Sequence, residues 1–174
     1  LYLNVGQRSQ NYIHYDLKPA NILFDAVGQC KITDFGLSKV VEDGQSQGME
    51  LTSQGAGTYW YLPPECFDVQ RTPMISNKVD VWSVGVILYQ MVYGKRPFGH
   101  EMSQEQILRN DVMRQATSVE FPTKPNTSAD CKDFIRQCLA YRQQDRPDVH
   151  EISKHKWLAV AATGKKRESG GKVL

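Results

Sequence analysis

Cysteine is scarce in this chain, with four in 174 residues, and Cys30, Cys66, Cys131 and Cys138 form no C-x-x-C pair. That spacing argues against a zinc site and leaves reduced, buried thiols as the expectation. An excess of one charge is missing too. Twenty-one Lys and Arg against nineteen Asp and Glu leave a formal +2, which gives bulk electrostatics no hold on nucleic acid or a membrane surface. Long apolar runs are absent as well: the longest, Val84 to Tyr93, is interrupted by Gln90 and is too short to span a bilayer. No internal repeat is found. The first residue is Leu1 rather than Met and no secretory segment precedes the fold, so the expectation is a piece of an intracellular protein. What remains is ordinary for one soluble globular domain with a real core: 40% apolar and 23% charged residues.

Against that plain background one stretch stands out. His14-Tyr15-Asp16-Leu17-Lys18-Pro19-Ala20-Asn21 fits H-x-D-L-x-x-x-N, and Asp34-Phe35-Gly36 comes shortly after. Either tripeptide alone carries little information; both in this order, with Lys and Asn in register, make chance a poor explanation. Phosphoryl transfer needs a carboxylate to orient the attacking hydroxyl, a cation near the transferred group, and oxygen ligands for magnesium. Asp16 suits the first task, Lys18 the second, and Asn21 with Asp34 the third. A tight loop after Asp16 would bring Asn21 back to the same place, and a hairpin would then deliver Asp34.

The remaining elements can be read in order. Leu1 to Asn4 resembles the end of a helix, with Gly6 as a stop. Ile22-Leu23-Phe24 and Cys30-Lys31-Ile32-Thr33 read as a hairpin, with Gly28 in its turn. From Asp34 to Glu65 the chain shows little helical period. Val79 to Tyr93 is apolar nearly all round and predicts a helix buried on most sides, stopped by Gly94, with Asp80 as an acid in need of donors. Ser103-Gln104-Glu105-Gln106 predicts a capping box opening a helix to about Arg114. Ser128 caps the next helix, with Phe134, Ile135, Cys138 and Leu139 on one stripe. A last helix is expected from about Asp148 to Leu158, with Pro147 in its first turn. Residues 159–174 read as a disordered tail containing Lys165-Lys166-Arg167.

Up to about Trp157 the chain resembles the C-terminal lobe of a eukaryotic protein kinase. The serine/threonine branch is indicated by Lys18 and by Gly57-Thr58 ahead of Pro63-Pro64-Glu65. More narrowly, His14 to Pro19, the run Gly48 to Phe67 and Pro97-Phe98-Gly99-His100 look like the Tousled-like kinases. Tyr15 in place of the usual Arg and the Thr-Ser-Gln-Gly-Ala-Gly run of residues 52–57 make that likeness specific. Ala20 departs from the Gly of the pattern, a methyl the loop should tolerate at negative φ.

The resemblance implies a mainly α fold: a kinase C-lobe over residues 1–158, with a short β-hairpin between the catalytic and metal-binding loops and the N-lobe absent. It implies ATP and Mg2+ as cofactors, with Asp16, Lys18 and Thr58 catalytic, Lys18, Asn21 and Asp34 on the nucleotide, and Asn21 and Asp34 on the metal. The Thr58 hydroxyl would bridge Asp16 and Lys18. Structural support would come from His14, from Asp80 accepting catalytic-loop amides, and from a Glu65–Arg146 pair holding the activation segment. Residues 34–65 would form that segment. The family further implies a nuclear enzyme of chromatin assembly and chromosome segregation, acting on a histone chaperone of the anti-silencing-function family. Neither nucleic acid nor membrane is expected as a direct partner. The family's self-associating coiled coil does not appear here, nor does a glycine-rich phosphate loop or its partner Lys and Glu ahead of His14. The competing reading is a truncated lobe that binds proteins without catalysis.

Overall fold

The computed structural model describes residues 11–41, 49–50, 56–68 and 73–163. The expected helix end at Leu1–Asn4 and residues 164–174 of the expected tail lie outside them, whereas residues 159–163, expected to be disordered, are helical. The first strand, β1 (Asn11–Ile13), leads into the His14–Asn21 loop, which closes in a 3-10 turn at Pro19–Asn21. β2 (Ile22–Phe24) and β3 (Cys30–Ile32) come next as an antiparallel hairpin. Its turn is built by Asp25, whose Oδ1 accepts from Val27 N and Gln29 N at 3.1 and 2.8 Å, with Gly28 at φ +79°. A side-chain acceptor and a residue free of Cβ strain are what such a reversal requires.

Two further ladders use the stretch from Asp34 to Glu65. β4 (Lys39–Val41) pairs antiparallel with β1, Ile13 opposite Lys39. β5 (Met49–Glu50) pairs with β6 (Met74–Ile75). Neither was legible as a strand, because two- and three-residue pairings are too short to show alternation. Short 3-10 turns at Tyr59–Tyr61 and Pro64–Phe67 complete the segment.

The core is helical. α1 (Lys78–Tyr93) ends where expected, on Gly94 at φ +70°, whose N–H returns to Gln90 O. Its buried residues include Val79, Asp80, Trp82, Val86 and Tyr89, while Val84 and Met91 remain exposed, so one edge faces outward. α2 (Gln104–Arg109) has the expected capping box between Ser103 and Gln106, yet it stops before Arg114. Asp111 sits at φ +52°, a left-handed turn that Asn and Asp tolerate and that ends a helix. α3 (Ala129–Cys138) is capped by Ser128 and buries Cys131, Phe134, Ile135 and Cys138. The expected final helix is two: α4 (Val149–Ser153), capped by Asp148 so that Pro147 precedes the cap, and α5 (Lys156–Thr163). His155 breaks them, since its Nδ1 accepts from Trp157 N and its Nε2 faces Asp133. The fold is thus partly helical with three small ladders among the described residues. No helix among them is long and apolar enough to cross a membrane. Three cysteines are buried as expected, but Cys30, on the β2–β3 hairpin, is exposed.

α1 and α3 meet at Gly85. A Cβ there would stand 2.6 Å from Cys138 Cβ and 2.9 Å from Leu139 Cδ2. Ala in place of Gly favours an isolated helix by about 1 kcal/mol, whereas forcing a methyl into a packed core costs about 1–3 kcal/mol. The second effect should win. Gly85→Ala is therefore expected to lower the urea midpoint of unfolding, and an unchanged or raised midpoint would mean that the helices separate freely.

Candidate active site

The site is assembled where the His14–Asn21 loop meets the residues just before Pro63. Asp80, in the first turn of α1 and almost fully buried, accepts from two successive amides: His14 N at 2.8 Å and Tyr15 N at 3.0 Å. Burial pushes its carboxyl up from the ordinary carboxylate range, and the two amide donors oppose that rise. Tyr15 has φ +68°, an uncommon conformation for an aromatic residue, and Asp80 is the group that pins it. The His14 ring fixes the next step. Its Nε2 faces Thr33 O at 3.0 Å, and its Nδ1 faces Asp16 N–H at 3.3 Å. A carbonyl needs a donor and an amide needs an acceptor, so the ring is the Nε2–H tautomer. Its edge also meets Phe35, centroids 4.9 Å apart, tying the loop to Asp34-Phe35-Gly36.

Asp16 then stands with its carboxylate shared among three donors. Lys18 Nζ lies 2.6 Å from Oδ2, Thr58 Oγ1 donates to Oδ1 at 2.8 Å, and Asn21 Nδ2 reaches Oδ2 at 3.3 Å. Lys18 Nζ also donates to Thr58 Oγ1 at 3.1 Å, closing a triangle of three side chains across 42 residues of sequence. Asn21 is held by a second bond from Nδ2 to Asp16 O at 2.9 Å. Its amide nitrogen is therefore turned inward, which leaves the carboxamide oxygen as the atom able to meet a cation.

Asp34 is delivered by the hairpin. Thr33 N and Thr33 Oγ1 both donate to Asn21 O, at 2.9 and 3.3 Å, so the residue before Asp34 is stitched to Asn21. Asp34 has φ +61°, is exposed, and its Oδ1 accepts from Gly36 N at 3.3 Å. One carboxamide and one carboxylate oxygen are hard donors of the kind magnesium takes alongside phosphate oxygens. Among the described residues, no cluster of three or more His, Cys, Asp and Glu is placed to hold a metal ion alone. Ala20 lies in the 3-10 turn and is not at positive φ, so its methyl fits as expected.

Glu65 and Arg146 form the second anchor. Arg146 NH1 and NH2 lie 2.8 and 3.2 Å from the two Glu65 carboxylate oxygens, a two-pronged contact. The guanidinium also donates to Lys78 O, Ala140 O and Tyr141 O, and it lies 5.0 Å from the Trp82 ring centre. The Arg146 side chain is wholly buried and its charge is nowhere left without an acceptor. Two supports carried no signal in sequence. Gln104 Oε1 accepts from Tyr59 N at 2.9 Å, and Trp60 Nε1 donates to Gly99 O at 2.9 Å under the Arg96 guanidinium. Both depend on contacts between distant segments that no local pattern encodes. The left-handed backbone at Tyr15 was missed for the same reason.

Residues 8–158 match the model of the protein kinase domain. The chain is 65% identical over 163 residues to the serine/threonine-protein kinase TOUSLED of Arabidopsis thaliana, covering 92% of this chain and 23% of that protein. It is 59% identical over 152 residues to the human serine/threonine-protein kinase tousled-like 1, covering 84% and 20%. A Caenorhabditis elegans tousled-like 1 is 55% identical over 161 residues, covering 89% and 16%. The chain thus spans about a quarter or less of the length of these curated relatives.

The anchor makes a prediction by its asymmetry. Removing one member of a buried pair costs about 3–5 kcal/mol, but the two members here are not equivalent. Arg146→Met strips the donor from Glu65 and from three carbonyls, whereas Glu65→Gln leaves most of the Arg146 bonds in place. Chemical denaturation of the two variants should give the larger loss for Arg146→Met. The reverse order would remove Arg146 as the hub.

Proposed function

From the premise that this chain belongs to the protein kinase family, in its Tousled-like serine/threonine branch, we propose that it supplies the catalytic loop of an enzyme that moves the γ-phosphoryl of ATP to a Ser or Thr hydroxyl of a protein. The observation that carries this reading is the closed triangle of Asp16, Lys18 and Thr58, with Asn21 turned beside it. Asp16 accepts the proton of the incoming hydroxyl and aims its oxygen. Lys18 is a compact charge placed to offset the developing negative charge on the transferred group. Thr58 holds the two in register from the activation segment, so that the loop and the peptide-receiving surface are correctly placed together. Asn21 Oδ1 and Asp34 Oδ2 are the oxygens suited to magnesium, which when bound neutralises the phosphate oxygens.

The substrate assignment rests on the Tousled-like resemblance: a histone chaperone of the anti-silencing-function family, in the nucleus, during chromatin assembly and chromosome segregation. ATP in such an enzyme is held between two lobes, and the 174 residues contain no glycine-rich phosphate loop ahead of His14. With the nucleotide open to water, each ionic contact at Lys18, Asn21 and Asp34 is worth little. These residues alone are therefore proposed to bind magnesium-ATP at millimolar strength or weaker and to give no transfer.

The test is a chimaera in which this chain replaces the matching segment of the Arabidopsis thaliana relative. Asp16→Asn should lower kcat by about 100-fold or more, the usual weight of a general base, with the KM for ATP little changed. Asp34→Asn should in addition raise the magnesium concentration needed for half-maximal rate. An Asp16→Asn chimaera within tenfold of its parent, about 1.4 kcal/mol of barrier, would refute the assignment.

A further inference from the structure

The turn after α1 is tied to the residues just past Thr58 by contacts that the proposed chemistry does not use. Trp60 Nε1 donates to Gly99 O at 2.9 Å and to Met102 O at 3.1 Å, which fixes the indole against that turn. The Arg96 guanidinium lies over the ring, 4.1 Å from its centre. At the next residue the Tyr61 hydroxyl donates to Gln90 Oε1 at 2.8 Å. The last turn of α1 and the chain beyond it therefore close on one short stretch, and that stretch begins at Thr58, whose hydroxyl donates to Asp16.

Arg96 is left without an acid. Arg109, Arg114, Arg142 and Arg146 each meet a carboxylate, but among the described residues none pairs with Arg96. Of the five N–H groups that a guanidinium offers, its side chain uses one, from NH2 to His100 O at 3.3 Å. A planar cation stacked on an indole has already given up much of its freedom, so a ligand that meets it there pays little further ordering entropy. The surroundings supply mainly donors. Gln90 has its oxygen engaged by Tyr61, which leaves its amide N–H groups. Lys95 is an exposed cation, and of the acids that follow, Glu105 is held by Arg109 while Glu101 is exposed. Toward the catalytic triangle the field keeps its sign: burial pushes the Tyr61 phenol up, and the charges of Arg96 and Lys18 both act against that rise.

We propose that Arg96, stacked on Trp60, is a specificity-determining residue that binds a carboxylate side chain of the protein substrate close to the acceptor Ser or Thr, so that hydroxyls set among acidic residues are favoured. This deepens the kinase reading above and rests on it. The guanidinium fork matches a carboxylate through two parallel N–H···O bonds, a geometry that an ammonium lacks. A mere cover for Trp60 would be indifferent to the charge of a peptide.

The test uses the chimaera and Ser peptides of alanine and glycine that carry one Asp, placed at each position in turn around the acceptor. At one or more positions Asp should raise kcat/KM about three- to tenfold over the uncharged peptide, between the weight of an exposed ion pair and that of a hydrogen bond to a charged group. Arg96→Gln should bring the two peptides to the same kcat/KM. Arg96→Glu should reverse the preference, favouring Lys at the position where the parent favours Asp, which loss of structure alone would not do. A second measurement needs no transfer. In the 174-residue chain the NMR signal of the Trp60 indole N–H should move on titration with a Ser peptide carrying Asp on both sides, and stay still with the uncharged peptide or in Arg96→Gln. No Asp preference at any position, a preference that survives in Arg96→Gln, no reversal in Arg96→Glu, or an indole signal blind to the acidic peptide would overturn the proposal. A parent chimaera with no transfer at all would count against the kinase reading, and the indole signal would still decide the role of Arg96.

Discussion

Asp80 spans the two halves of this structure with one side chain. Its oxygens take the amides of His14 and Tyr15, and its backbone belongs to the first turn of the most buried helix. A left-handed Tyr costs on the order of 1–2 kcal/mol, and leaving two buried amides without acceptors would cost more. The carboxylate resolves both at once. With the amides fixed, His14 is oriented to reach Thr33, Asp16 is turned toward Lys18, and the hairpin is set at the distance that Thr33 requires. The contacts that His14 and Asp16 make start from that one carboxylate.

Arg146 does the corresponding work for the other wall. A buried ion pair is weak evidence of net stability, because desolvation offsets most of the attraction. What the guanidinium gives is geometry. Its five N–H donors reach Glu65, the N-terminal turn of α1 through Lys78 O, and the chain after α3 through Ala140 O and Tyr141 O. The end of the Tyr59–Glu65 stretch is thereby referenced to the same helix that holds Asp80. Two charged groups on different elements therefore place the two walls of one site relative to α1.

This division explains what the amino-acid sequence made legible. Asp16, Lys18, Asn21 and Asp34 stand at fixed spacings because a short loop and a tight hairpin leave the chain little choice, and those spacings survive as a readable motif. The long apolar run of α1, the Ser103–Gln106 box and the Ser128 cap were likewise visible, since helix periodicity and capping are local. The break at His155 was hidden because a histidine ring replaced the usual capping side chains. The early end of α2 was hidden because Asp111 takes a left-handed turn that its residue type only permits. The β1–β4 and β5–β6 ladders have no pattern long enough to detect. Tyr15 belongs to a different category: its identity was conspicuous in sequence, but its left-handed backbone and its place in the buried cluster with Leu62 and Cys66 exist only in three dimensions.

The state of Asp16 shows how closely the site is prepared. An ionised carboxylate has about four acceptor positions, and Lys18, Asn21 and Thr58 occupy three of them. If Asp16 is the proton acceptor proposed above, an incoming hydroxyl finds one remaining position, on Oδ1, beside the hydroxyl of Thr58. The angle of approach is therefore limited before any substrate arrives, which is where orientation contributes most to a displacement reaction. Thr58 can hold that position only while its own backbone is fixed, and the residues that fix it are Gly57 against Tyr15 on one side and Tyr59 against Gln104 on the other. The geometry of the proposed chemistry is thus controlled by uncharged contacts one residue away from it, while that proposal leaves phosphate and metal to the polar groups themselves.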